Sequence, residues 1–207
     1  MNILVDIAAE PAHRAATPAR GVAPDGAAPK DRIPPGVDRS NAPPRDHGLR
    51  LAHAADIDVL VELLRHDAVW PWYAGTRVPD HRWTELFRQQ VGRNAVGAAC
   101  LWVLASGPRR LGFISLANGE ASFAVDGTAL ERGLGTAMIR RFLVIGRRDL
   151  RLARLSACVQ RGNIRAIRCL ERQGFRFAGL SRRAFDARGS LQTVLIFETR
   201  FDEEQFK

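Results

Sequence analysis

The stretch FAVDGTALERGLGTAMIRRFLV, residues 123–144, decides the fold. It opens on an apolar, strand-like run that ends at Val125. A loop over residues 126–132 follows, then Gly133-Leu134-Gly135-Thr136 at the head of a predicted helix over 134–148. A helix start presents unpaired backbone amides and the positive end of the macrodipole, so it attracts phosphate. Glycines there let the backbone approach an anion closely and adopt positive φ. A dinucleotide-binding turn needs a third glycine in an opening βαβ unit, and a P-loop needs Gly-Lys-Ser/Thr. Neither pattern is present. Taken alone, the glycine pair also reads as a tight turn and nothing more.

Its surroundings narrow the choice. Downstream stands NIRAIRCLERQGF, residues 163–175, a helix with Asn163 as N-cap and Gly174 as its stop. Between the two motifs, LARLSACV (152–159) is a buried-type strand. Upstream, Leu49–His53 reads as a strand, and Ile57, Leu60, Val61 and Leu64 recur at helical spacing. A second helix, in VPDHRWTELFRQQV, has Asp80 as its expected N-cap and Trp83, Leu86, Phe87 and Val91 on one face. Three strand-like runs over residues 99–125 are separated by Ser106–Arg110 and by Asn118–Gly119, which predicts an antiparallel meander. Two last strands, FRFAGLSRRAF and LQTVLIFETRF, flank DARGS. The order β–α–α–β–β–β–α–β–α–β–β predicts an α/β fold, a mixed sheet with helices on both faces.

The two motifs together resemble the GCN5-related N-acetyltransferase (GNAT) superfamily over about residues 49–201. That family carries an Arg/Gln-x-x-Gly-x-Gly/Ala turn and then an Asn-x-x-Ala helix ending in Gly-Phe. Here these read LERGLG and NIRAIRCLERQGF. The resemblance implies a mostly antiparallel sheet with one splayed parallel strand pair, and acetyl-CoA as co-substrate. It implies that the amides of Gly133, Leu134, Gly135 and Thr136 hold the pyrophosphate, with Arg132 adding positive charge. Ser122–Val125 would hydrogen-bond the pantetheine arm, amides near Phe123, Ala124 and Val125 would stabilise the oxyanion, and Asn163 would belong to the same site. Glu120 stands where many relatives have the general base, able to act directly or through water; as a strand-end residue it also suits a plain solvated position. Asp126 is expected to serve the loop, and His81 is a further candidate for the acceptor pocket.

Two departures are visible. Leu130 heads the turn in place of Arg or Gln, and Leu170 takes the place of a tyrosine that in many members protonates the departing thiolate. Water, Cys169 or a residue from elsewhere would then assist, or the thiolate would leave unaided. Leu170 is expected beside Ile167 in the core.

The acceptor surface should include RHDAVWPWYAGTRVPDHRW, with three tryptophans and the chain's one tyrosine. Stacked aromatics with Arg65, Arg77 and Arg82 suit a sugar, a nucleotide-linked sugar or a peptide terminus; some of them must instead be core. DHRWTELF resembles relatives that acetylate nucleotide-linked amino sugars, and IRCLERQGF resembles ribosomal-protein N-terminal alanine acetyltransferases and the aminoglycoside-modifying group. Three functions stay open: acetylation of a primary amine on a small molecule such as an amino sugar, acetylation of a protein amino terminus, and non-catalytic acyl-CoA binding.

Composition sets the outer limits. The formal charge of +9 suits an anionic partner, although a high-GC genome would produce the same arginine and alanine richness. There is no aromatic-interleaved basic tract and no zinc-finger spacing, which argues against nucleic acid as partner. No window approaches a membrane span. The opening MNILVDIAAE, with Asp6 and Glu10, argues against a secretory leader, and three cysteines without metal-ligand spacing suit reduced thiols and a cytoplasmic location. No metal is expected, and a homodimer is compatible with the pattern. Residues 1–48 hold eight of the eleven prolines, so they are expected to be a largely disordered tail ahead of an acetyltransferase domain over 49–207.

Overall fold

The computed structural model describes residues 47–74, 77–130, 132–184 and 191–201. β1 (Gly48–Leu51) leads through a 3-10 turn (Ala54–Asp56) into helices α1 (Ile57–Arg65), α2 (Trp70–Tyr73) and α3 (Asp80–Ala95). The meander β2 (Leu101–Ser106), β3 (Arg109–Ala117) and β4 (Glu120–Val125) follows. Then come α4 (Leu134–Arg148), β5 (Arg154–Gln160), α5 (Ile164–Arg172), β6 (Arg176–Ala184) and β7 (Leu191–Arg200). This is the predicted order with α2 added. Pro71 lies in the first turn of α2, where its missing N–H leaves no hydrogen bond unmade. Asp80 is not the N-cap of α3: Pro79 holds that position, and the Asp80 carboxylate accepts from Arg65 Nε at 2.9 Å. Residues 1–46 of the expected tail and the DARGS turn lie outside the described residues.

The sheet has seven strands in the order β1-β2-β3-β4-β5-β7-β6. Its β3–β4 hairpin turns through Asn118 and Gly119, both at positive φ (52° and 76°), the geometry that a two-residue hairpin turn demands. β4 and β5 are parallel, and the other neighbours are antiparallel. The expected mixed α/β architecture is therefore present, with helices on both faces.

Each face carries its own core. On one, α1 and α3 lay Leu60, Leu64, Trp83 and Phe87 against Val103 and Phe113. On the other, α4 sets Leu134, Met138, Ile139 and Phe142 over Trp102, Ile114 and Leu155, with Leu170 of α5 beside them. Each such side chain contributes about 1.5–3 kcal/mol when fully buried. Alternation along β4 sends Ala124 to the α1/α3 face and Ala121 to the α4 face, so Glu120 and Ser122 share the side of Ala124.

Two polar groups stitch the first core to the sheet. Asn94, near the end of α3, donates to the carbonyls of Ala52 and Leu101 and accepts from the amides of Cys100 and Leu101. Asp56 is wholly buried and accepts from Arg50 at 2.7 and 2.8 Å, Arg110 Nε at 2.6 Å and the His53 amide at 3.0 Å. Burial alone would raise its pKa; the Arg50, His53 and Arg110 hydrogen bonds outweigh it and hold the carboxyl well below the usual range. A carboxyl lowered by folding stabilises the fold above its unfolded value, and that contribution fades as pH falls toward the folded value. Asp56→Asn should therefore cost about 3 kcal/mol in urea denaturation at pH 7. The gap to the parent should begin to close below about pH 4.

Candidate active site

The site begins where β4 and β5 stop pairing. Their register holds only at Glu120↔Ser156 and Ala121↔Ala157. Beyond it β4 stays with β3 as far as Gly112↔Val125, and β5 stays with β7 as far as Gln160↔Val194. Gly112 lets β3 press close there, since a Cβ would stand 2.6 Å from the Ala124 carbonyl oxygen. The facing edges of β4 and β5 are left without a ladder, and their backbone groups line a cleft of about 750 Å³. Ser122, Phe123, Ala124 and Val125 form one side and Cys158 and Val159 the other.

The glycine turn closes one end. Gly133 is in the left-handed region (φ 73°) as the N-cap of α4, and a Cβ on it would meet nothing within 4 Å. Its role is thus conformational. At Gly135 a Cβ would just touch Cys169 Sγ at 3.4 Å, so α4 and α5 pack closely here and a larger side chain would meet the thiol. The first turn of a helix carries amides with no intrahelical acceptor, and Ala137 is the first here to donate back, to the Gly133 carbonyl. Thr136 completes the turn, its hydroxyl 3.5 Å from Cys169 Sγ. Burial pushes the Cys169 thiol up, with the Thr136 hydroxyl and Arg172 pulling the other way, so the group stays a thiol at neutral pH.

Asn163 also lines the cleft, but its carboxamide oxygen accepts from the Ala166 amide at 3.1 Å and so caps α5. Arg165, Arg168 and Arg172 follow at helical spacing and give the cleft a basic rim. Sequence reasoning missed this rim, although the spacing of the three arginines is a readable stripe. Leu130 lines the cleft too, at the position where the family pattern has Arg or Gln.

The roof comes from the α1–α2 region: Ala68, Val69, Trp72 and Tyr73. It is fastened to the rest at two points. Gln160, ending β5, donates to the Pro71 carbonyl at 2.8 Å, and the Trp72 ring lies 3.4 Å from where a Gly162 Cβ would be. Below it the His66 ring packs flat on Gly127, where a Cβ would overlap the imidazole.

Of the predicted residues, Phe123, Ala124, Val125, Gly133, Leu134, Gly135, Thr136 and Asn163 converge on the cleft. Arg132 is exposed beside the turn and does not line it. Glu120 sits in the still-paired part of β4, two residues before Ser122, half-buried and outside the lining. His81 is exposed on α3, away from the cleft. Trp83 is core, whereas Trp72 remains 42% exposed at the rim. Asp126 serves the loop, accepting from the Thr128 amide and hydroxyl at 2.8 Å. Leu170 is 1% exposed in the α4-side core, so the leucine in place of tyrosine is a packing residue.

Residues 48–176 match the model of the acetyltransferase (GNAT) domain. The chain belongs to the GNAT superfamily. The splayed parallel pair and the glycine turn are thus those of a GNAT acyltransferase, and the expectation drawn from the two motifs is met. Solved GNAT structures share this fold. The ribosomal-protein-S5-alanine acetyltransferase of Vibrio fischeri superposes with a TM-score of 0.65 at 17% identity, over 76% of this chain and 94% of its own. AAC(6')-Ib in complex with paromomycin and acetyl-CoA gives 0.61 at 18%, over 78% and 96%. Mycobacterium smegmatis RimJ in complex with CoA-disulfide gives 0.61 at 19%, over 77% and 83%. At these identities the likeness is one of fold. Among proteins of curated function, none matches the sequence. Among the described residues no helix is long and apolar enough to cross a membrane.

Proposed function

We propose that this GNAT protein transfers acetyl from acetyl-CoA to the primary amine of a small molecule, an amino sugar in particular. One observation carries the reading: an unpaired strand edge and a glycine-headed helix start meet in a single cleft. The residues suit the donor. The first-turn amides of α4, the open space over Gly133 and the basic rim of α5 fit a pyrophosphate, and the free edge of Ser122–Val125 fits an amide-bearing arm. When bound, acetyl-CoA supplies an activated acyl carbon and a thiolate leaving group.

The chain's own part is to bind, orient and manage protons. An amine attacks only when neutral, and the oxyanion needs donors already in position. Among Phe123–Val125, the amides of Phe123 and Val125 lie on the edge away from β3 and are suited to that task. Glu120 shares the sheet face of the α1–α3 layer, where the acceptor would lie, and acts on the amine through water. Leu170 gives no proton, and the Cys169 thiol lies under the glycine turn against Thr136.

The roof favours a sugar. Trp72 offers a partly open ring face beside Val69, which suits the apolar face of a sugar ring. The net charge of +9 disfavours a polycation and favours an acceptor carrying phosphate or carboxylate. Thiol release measured with a phosphorylated glucosamine, an aminoglycoside and an alanine-initiated peptide should give the highest kcat/KM for the first. If the peptide is fastest, the acceptor is a protein amino terminus. If no amine releases thiol while coenzyme A still binds, the chain is an acyl-CoA-binding module.

Two substitutions probe the machinery. Gly135→Leu should weaken coenzyme A binding at least about tenfold in calorimetry, because the side chain displaces Cys169 and tilts α4. Glu120→Gln should lower kcat about tenfold or more with the coenzyme A Kd unchanged; an unaltered kcat would remove Glu120 as base.

A further inference from the structure

The positive charge of this chain is gathered in one part of it. Residues 140–182 hold twelve arginines against Asp149 and Glu171, a net +10, while the whole chain carries +9. The remainder is slightly acidic, so a uniform richness in arginine does not account for the excess. Pairing differs too. Outside that stretch Arg50, Arg65, Arg77, Arg88, Arg109 and Arg110 each reach a carboxylate. Inside it Arg154 reaches Glu198, whereas Arg140, Arg148, Arg151, Arg176 and Arg182 are exposed and reach no carboxylate among the described residues. These five also stand outside the lining of the cleft, so a cofactor there leaves them unused.

The fold collects them on one side of the sheet. α4 and α5 each join parallel strands, so they run in the same direction over one core and touch where Thr136 meets Cys169. Arg140 stands one turn beyond Thr136, Arg148 about two turns further along α4, and Arg151 just past its end. Arg176 opens β6 directly after α5. Beside it Phe177 is 58% exposed. Its register partner Phe197 belongs to the core under α4 and meets it edge-on, with centroids 6.1 Å apart, so the Phe177 ring projects on the side of the helices. Arg182 shares that side, two residues beyond Leu180, whose partner Leu195 packs on the same core. No stretch of the sequence interleaves aromatic and basic residues; α4, α5 and β6 assemble that pattern between them.

We propose that this face binds single-stranded nucleic acid through the phosphate backbone, with Phe177 stacking on a base. The proposal stands apart from the donor reading given above. Crowded like charges repel one another, and a polyanion relieves them while releasing its own counterions. Arginine grips phosphate with a planar fork, and an aromatic ring stacks on any base. A single strand can use both, whereas a duplex or a lipid surface offers Phe177 no base face.

Fluorescence anisotropy of the full chain with labelled oligouridylate and oligothymidylate tests this, with a duplex and phosphatidylserine vesicles as competitors. The single strands should bind, and Kd should rise more than about tenfold between about 50 and 200 mM salt. Equal affinity for the two strands supports a shared phosphate site, and preference for the first narrows the ligand to RNA. Changing Arg140→Gln, Arg148→Gln and Arg176→Gln together should weaken binding at least about tenfold and lower the slope of log Kd against log salt by about 2. Phe177→Ala should weaken it about tenfold with the slope unchanged, because a stacked base releases no counterion. The triple variant should keep the parent's Tm, since its altered side chains are exposed. A parent that prefers the duplex or the vesicles, or that binds no single strand at low salt, overturns the proposal. So does a triple variant or a Phe177→Ala protein that binds as the parent does.

Discussion

The cleft in this protein depends on two strands parting. β4 and β5 share only two register positions, and past Ala121 each turns its loyalty to a different neighbour. A sheet interior with unpaired amides and carbonyls is unfavourable unless something else pairs them. The fold tolerates the gap because the remaining ladders on either side are long and both faces are capped by separate cores. Under the proposed function an extended chain bearing its own amides would fill it, and the glycine-headed helix at one end of the opening would receive that chain's negatively charged terminus.

Much of this architecture was legible because it is local. The strand ending at Val125, the helix over 134–148, the Asn163 cap and the Asn118–Gly119 turn each depend on residues within a few positions of one another, and each appears where expected. Asp56 could not be read in the same way. Its two guanidinium partners lie six and fifty-four residues away, so nothing in its neighbourhood announces a buried carboxylate gripped by both. Asp80 failed as a predicted cap for a related reason: a more distant arginine claims its oxygens, and Pro79 sets the helix start by backbone geometry alone.

The site shows the same division. The glycine turn and the free edge of β4 were readable as motifs, since backbone geometry there follows from residue type. The roof was not. One aromatic run supplies Trp72 to the rim, Tyr73 to the cleft wall and Trp83 to the core, and composition does not distinguish them. What separates them is α2, a four-residue helix too short to leave a periodicity. Cys169 and Leu170 pose the same problem in one step of sequence: the helical rotation between them puts the thiol at the cleft and the leucine in the core.

The stacking of His66 on Gly127 has a bearing on how such a protein can change. His66 stands just ahead of the segment that roofs the cleft, while Gly127 lies in the loop that delivers the chain from the open strand to the glycine turn. The two walls are therefore not independently editable. A lineage that reshapes residues 66–73 for a new acceptor must keep a ring-sized neighbour compatible with a residue that has no side chain. Any drift at position 127 would be felt first at the residue that leads into the roof. The roof and the loop before the glycine turn are bound by one contact, and histories that pass through a side chain at 127 are closed unless position 66 has moved first.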